Sequence, residues 1–544
     1  MVRDLRRLAD SRFDLLIVGA GFYGAIAAWD ATLRGLSVAL IDKGDFGGAT
    51  SFNNLKTLHG GLRSLQSANF AQMRLFIRER RALARVAPHL VQPMPFVVPT
   101  YRHPMRSASV MRIALAINDI VARDRHEGLD DPALHLPNGR IVSRDECLRL
   151  NPVVDPQGVT GGAIWHDYQM YNTDRMTLSF VLSASDAGAV AANYTAAESL
   201  LREGPAVTGV RARDVLNGET FDVRASSVLN ATGPWAASFL ESLGPRRTAP
   251  APRLSRAMNL IVRRVHVAQA CGGLASGRFL FLAPWRDVTL LGTSHDVHEG
   301  PPDALTVSRW DLEAFLADAR EAFPHAQLAA HDVRLVHRGL LPMVSGRDHD
   351  VKLLRESAVV DHAQDGAPGL VSMFGVRYTT ARATAERAVD TVFRQRGDGT
   401  PPSCRTADTP VFGGAINRKD KFLRAVSSRD VDNVSRDMLR RLALTYGTEY
   451  DAVLQPLRQN PDLARPLGRS CDVSGLEILH AVRHESAVRL SDALIRRTEA
   501  GSAGHPGSDA IERAASIMAR ELDWDEARIG IEIAEVDAFY GLPP

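Results

Sequence analysis

At 544 residues the chain is long enough to bury a large core and to hold two or three domains. Its 65 basic and 63 acidic side chains leave a formal charge of +2, which excludes nucleic-acid binding by bulk charge. Cys147, Cys271, Cys404 and Cys471 lie far apart, with no CxxC pair and no metal-ligand spacing, so reduced thiols in a cytosolic compartment and no resident metal are expected.

Arg3, Arg6, Arg7 and Arg12 precede an apolar run over residues 15–29, which superficially has the order of a signal peptide. The glycines inside it give a better reading. Leu15, Leu16, Ile17 and Val18 suit a buried parallel strand, and Gly19-Ala20-Gly21-Phe22-Tyr23-Gly24 follows without a gap. Gly19 permits the tight turn, Gly21 lets backbone N–H groups approach a pyrophosphate, and Gly24 lets the next helix pack closely. That helix is predicted to reach about residue 34, with Gly35 as its stop, and a second strand over 38–41 ends in Asp42. An acid at this spacing meets the adenosine ribose hydroxyls and repels a 2′-phosphate, which disfavours NADP.

A nicotinamide dehydrogenase would continue into another helix. Here a loop rich in glycine, hydroxyl and amide groups follows instead, carrying Thr50, Ser51, Lys56 and the sequence His59-Gly60-Gly61-Leu62-Arg63, and it suits a bulkier polar cofactor. Two later strands also deliver backbone to a ligand: one closes in Ala231-Thr232-Gly233 before Trp235, and one leads through Gly375 and Arg377 into a helix starting at Thr379. A helix N-terminus there would stabilise charge on a flavin pyrimidine carbonyl, so FAD is the expected cofactor.

The expected fold is α/β: a discontinuous Rossmann-like FAD-binding domain (13–100, 160–245 and 340–400), an antiparallel-sheet substrate domain (101–159 and 246–339) and a C-terminal helical cap domain (405–544). Strand-like runs over 258–292 support the second. Amphipathic periodicity over 437–446, 475–498 and 509–522 supports the third. Residues 105–123 interleave apolar side chains with Arg106, Arg112 and Arg123, as in a membrane-surface helix, although a half-buried helix has the same pattern.

Taken in order, the N-terminal cradle, Lys56-Thr57-Leu58-His59-Gly60-Gly61-Leu62-Arg63, Asn230-Ala231-Thr232-Gly233-Pro234-Trp235, Pro284-Trp285 with Gly292-Thr293, Phe374-Gly375 with Thr379-Thr380, and the C-terminal Thr445-Tyr446-Gly447 and His484-Glu485 resemble the FAD-dependent glycerol-3-phosphate dehydrogenases of the quinone-reducing type. The resemblance covers nearly the whole chain. It implies hydride transfer from a carbinol carbon to flavin N5, with electrons passed to a quinone or other acceptor. It also implies a base for the hydroxyl proton and cations for a small anionic substrate. A membrane surface, with the protein cytoplasmic or peripheral on the inner face, and a second copy of the chain are further expected partners.

Arg63, Arg355 and, in place of a lysine, Arg377 match the family's substrate residues. Ser64 stands where the family has tyrosine, Arg256-Ala257-Met258-Asn259 where it has Lys-Gly-x-His, and Leu341 where it has an arginine. Arg63, Arg256, Asn259, Arg355 and Arg377 are therefore the candidate substrate ligands, for glycerol 3-phosphate or a related anionic polyol. Asn259 cannot accept a proton. His59 is the leading candidate base, with a role against the flavin open to it as well, and His295 is the second. The run His295-Asp296-Val297-His298-Glu299 lacks partners at metal-site spacing. Two other readings remain: an amine or amino-acid oxidase on the same FAD fold, and a flavin-binding protein without turnover.

Overall fold

A computed structural model describes residues 1–243, 252–345, 351–397 and 399–542. The first apolar run forms strand Arg12–Val18, flanked in parallel by Val38–Ile41 on one side and Thr220–Asn230 on the other. Val190–Ala192 and Leu370–Phe374 extend this parallel core, and the antiparallel strand Ala358–Asp361 closes one edge of an eight-stranded sheet. Helices Phe22–Leu33, Thr173–Asp186 and Ala381–Arg396 cover one face through a continuous apolar cluster. The strands are apolar on both faces because both faces are covered.

A second sheet of ten strands is antiparallel except where Ala270–Ala275 runs parallel to Val91–Tyr101. Its strand Arg253–Val262 lies between Val288–His298 and Val333–Ser345. Met258, Leu260 and Val262 point to one face, where helix Arg309–Ala322 packs on them. Ala257, Asn259 and Ile261 point to the other, because side chains alternate along a strand. Strands Thr57–Leu58, Val91–Tyr101 and Val159–Met170 also join this sheet, so the segments 13–100 and 160–245 expected in the FAD domain lend strands to the substrate domain. The expected boundary at 245/246 lies outside the described residues, as do the last two positions of the C-terminal segment.

The C-terminal region is helical, with Arg436–Tyr446, Gly475–Glu485, Ser508–Leu522 and Glu526–Tyr540. The expected single helix over 475–498 is broken after Glu485, where Ser486 is left-handed (φ 53°), and resumes as a π-helical turn, Asp492–Arg497. This region packs on the second sheet through Trp285, Leu290 and Leu335. Buried ion pairs tie it to the first domain: Arg175 to Glu485 at 2.6 Å, and Asp45 to Arg496 and Arg497, each at 2.6 Å. Breaking one such pair would leave a buried charge uncompensated, so these contacts fix how the cap sits.

Candidate functional site

The glycine cradle is shaped by backbone approach. Gly19 has φ +103°, and a Cβ there would lie 2.5 Å from the Ala231 carbonyl oxygen; at Gly24 it would lie 1.8 Å from the Gly19 oxygen. Gly21 is the N-cap of helix Phe22–Leu33, and a Cβ on it would approach Ser51 Oγ to 3.2 Å. Ser51 Oγ accepts from Phe22 N at 2.9 Å, holding the polar loop over the helix start. Asp42 accepts from Ala20 N at 2.6 Å and Gly44 N at 2.9 Å, and burial raises its pKa to about 6. Each carboxylate oxygen keeps a further lone pair for a hydroxyl.

Thr50 Oγ1 donates to Leu340 O at 3.1 Å and accepts from Leu340 N at 3.2 Å, joining the loop to the second sheet. Thr50, Gly48, Ala49, Pro234, Trp235 and Gly339 help line a cavity of about 210 Å³. Thr232 Oγ1 donates to Asn230 Oδ1 at 2.7 Å, and Gly233 is left-handed. A Cβ on Gly375 would lie 2.4 Å from the Tyr23 ring, whose hydroxyl takes Val376 N and Arg377 N and donates to Arg377 O at 2.7 Å. Thr379 Oγ1 accepts from His59 N at 3.1 Å, which brings the two ends of the predicted cofactor set together.

Lys56 is placed differently from the rest. It is fully buried, donating to Phe52 O at 3.0 Å and Thr173 Oγ1 at 2.8 Å, and burial lowers its pKa to about 8. Its ammonium fastens the loop to helix Thr173–Asp186 instead of lining open space.

Arg256 requires a correction. It lies three residues before Asn259 on one strand, so alternation sends the two side chains to opposite faces. Arg256 forms a two-pronged pair with Asp311 at 2.5 and 2.9 Å, at the start of helix Arg309–Ala322, on the face away from the cofactor loop. Asn259 is buried and accepts from Thr293 Oγ1 at 2.6 Å. His295 stands across from Ala257, on Asn259's face, with Nδ1 enclosed and unpartnered. Burial, then the charges of Arg278 and Arg63, push its pKa down to about 4, so the ring is neutral at pH 7.

Arg63 and Arg377 lie close enough to feel each other's charge, and Arg355 meets Arg377 through its backbone. Arg63 is exposed at the turn Leu62–Ser67, and its charge also depresses Arg377, after burial. Arg377 Nη1 donates to the Arg355 carbonyl at 2.5 Å, which also takes Gln72 Nε2 at 2.8 Å. Ser64 Oγ donates to Gln72 Oε1 at 3.1 Å, so a hydrogen-bonded rim replaces the family's aromatic hydroxyl. This rim combines cations for an anion with histidines that can carry a proton, beside a cradle built for a dinucleotide.

The FAD dependent oxidoreductase family matches residues 14–391, and the C-terminal domain of alpha-glycerophosphate oxidase matches residues 404–529. The chain belongs to the FAD dependent oxidoreductase family. It is similar to glycerol-3-phosphate dehydrogenase of Synechocystis sp., 29% identical over 513 residues covering 91% of this chain and 90% of the other. Its fold is that of glycerol-3-phosphate dehydrogenase from Bacillus halodurans complexed with FAD: TM-score 0.78, 24% identity, 99% of this chain and 97% of that one. Glycine oxidase from Geobacillus kaustophilus is more distant, with a TM-score of 0.52 over 74% of this chain and 98% of that one at 18% identity.

The cofactor is FAD, and the residues present fit it: Gly19, Gly21 and Gly24 keep the phosphate cradle free of Cβ atoms, and Asp42, Thr50 and Ser51 supply polar groups beside it. Tyr23, Gln72 and Asp167 also take part in this region without a sequence motif to mark their roles. Asp167 lies in strand Val159–Met170 among the polar Thr160, His166 and Gln169, so its polarity alone does not single it out.

Proposed function

We propose that this enzyme oxidises the secondary alcohol of glycerol 3-phosphate or a closely related anionic polyol and passes the electrons to a quinone. The observation that carries this is the pairing of the Arg63 and Arg377 charges next to the His59 loop, with the Arg355 backbone carbonyl holding Arg377 in place. Guanidinium groups bind phosphate or carboxylate through charge-assisted hydrogen bonds, and half-burial of Arg377 strengthens its share. FAD, when bound, supplies the two-electron acceptor. His59 receives the hydroxyl proton as the carbinol carbon becomes a ketone; its side chain is 53% exposed and so reachable by substrate. His295, neutral and with an enclosed ring nitrogen, offers a hydrogen bond from the sheet side.

Leu341 and Ser64 favour a related polyol over glycerol 3-phosphate itself, since the family's arginine and tyrosine are missing there. Anaerobic flavin bleaching against glycerol 3-phosphate, other polyol phosphates, hydroxy acids and amino acids decides between them. Bleaching by a polyol phosphate is expected. Bleaching by amino acids alone would refute the alcohol reading.

We further propose peripheral attachment to the inner face of the membrane through helix Ala108–Val121. Met105, Ile113 and Ile120 are 66%, 62% and 69% exposed beside exposed Arg102, Arg112 and Arg123. Among the described residues no helix is long and apolar enough to cross a membrane. Sedimentation with anionic lipid vesicles should be lost in Ile113→Glu/Ile120→Glu, and equal sedimentation of the variant would exclude this face.

A further inference from the structure

The short strand Thr57–Leu58 pairs antiparallel with Val159–Met170, Thr57 across from Gln169 and Leu58 across from Tyr168. Carried one residue further, this ladder sets His59 across from Asp167. The Asp167 side chain is almost completely buried, and every group around it is a donor. Oδ1 accepts from Gly60 N at 2.6 Å and from the Arg80 guanidinium; Oδ2 accepts from Trp165 Nε1 at 3.2 Å and faces His59 Nδ1 at 3.8 Å. Space for this carboxylate is made by a missing side chain, because a Cβ on Gly60 would lie 2.4 Å from Arg80 Nη1 and 3.0 Å from Asp167 Oδ1.

We infer that Asp167 is a positioning residue for His59: its carboxylate is the hydrogen-bond acceptor for Nδ1–H of the imidazole and so presents Nε2, unprotonated, to the substrate hydroxyl. The inference rests on the reading that His59 receives the substrate proton. A neutral imidazole carries its proton on either nitrogen, and the group facing one nitrogen selects the tautomer. An ionised carboxylate facing Nδ1 selects Nδ1–H, the only tautomer in which Nε2 can act as a base. Burial pushes the Asp167 carboxyl up, but Arg80, His59 and Trp165 outweigh it and hold it below the ordinary carboxylate value, so it is ionised at neutral pH. The gap of 3.8 Å is about 0.6 Å beyond a hydrogen bond, and such contacts tighten when substrate binds. His59 sits between this anchor and Thr379, which fixes its backbone N–H, so ring rotation is the freedom left for Asp167 to set.

The test uses the FAD-loaded enzyme. In the wild type, ¹⁵N spectra of the histidine rings, with His59 assigned by its loss in His59→Gln, should show the Nδ1–H tautomer; the Nε2–H tautomer overturns the inference whether or not any variant folds. His59→Gln should slow anaerobic flavin reduction by glycerol 3-phosphate, or by the polyol phosphate that bleaches the enzyme, by about 10²–10⁴-fold. Asp167→Asn should slow it by at least about 10-fold with KM little changed, the pattern of a contact that matters in the transition state. It should also shift the His59 tautomer. If His59→Gln reduces at the wild-type rate, the proton-acceptor reading fails and the inference with it. If His59→Gln is slow while FAD-loaded Asp167→Asn keeps wild-type rate and tautomer, only the role of Asp167 falls.

Discussion

In the cradle the deciding contacts are between backbone atoms: a side chain on Gly24 would strike the Gly19 carbonyl at 1.8 Å, and one on Gly19 the Ala231 carbonyl at 2.5 Å. On the substrate-facing sheet they are between side chains on neighbouring strands, Asn259 with Thr293 and His295 beside Ala257. Backbone geometry admits almost no substitution, since nothing but glycine fits. Side-chain geometry admits many, since a strand tolerates any residue that its neighbours can pack. The same fold therefore keeps one cofactor while its substrate wall changes, and this chain shows both outcomes.

The contrast breaks most sharply at Gly24→Val, expected to yield protein without flavin colour; a yellow, soluble variant would show that the cradle tolerates bulk. Next come two arginines, Arg377 beside the His59 loop and Arg256 on the far face of the second sheet. Arg377→Met removes a charge-assisted contact of roughly 1.5–3 kcal/mol, a rise of about 10- to 150-fold in KM. Arg256→Met should leave KM unchanged and lower the melting temperature instead, because it strips Asp311 of its cationic partner and leaves it only the Ser308 hydrogen bonds. A KM effect at Arg256 would mean that this strand's faces are misassigned.

The smallest effect is on stability against pH, and it comes from the contact between the first domain and the cap. Burial, then Lys419 and Arg175, lowers His89 from 6.5 to about 3. Burial pushes Glu485 up, but Arg175 and His480 outweigh it and lower it from 4.5 to about 2. In both cases the unfolded chain binds the proton first, so stability is lost as pH falls, from about 6.5 downward for His89 and from about 4.5 for Glu485. Thermal melts from pH 8 to 4 should fall across the first window, and His89→Leu should flatten that slope. A flat wild-type profile would place these groups outside the cooperative core.

Local sequence specified the cradle. The strand, three glycines, helix and Asp42 are contiguous, and their spacing follows from backbone geometry that neighbours in the chain impose on one another. The helical periodicity of the cap was legible for the same reason, down to the break after Glu485, which needed a left-handed residue that periodicity cannot report. Tertiary structure decided the substrate side. Strand alternation took Arg256 away from Asn259, burial turned Lys56 into a fastener, and a ladder between residues 57–58 and 168–169 set Asp167 across from His59. Such pairings join residues separated by about a hundred positions, and the physical rule that selects them is which strands hydrogen-bond, a choice made by the packing of the whole chain.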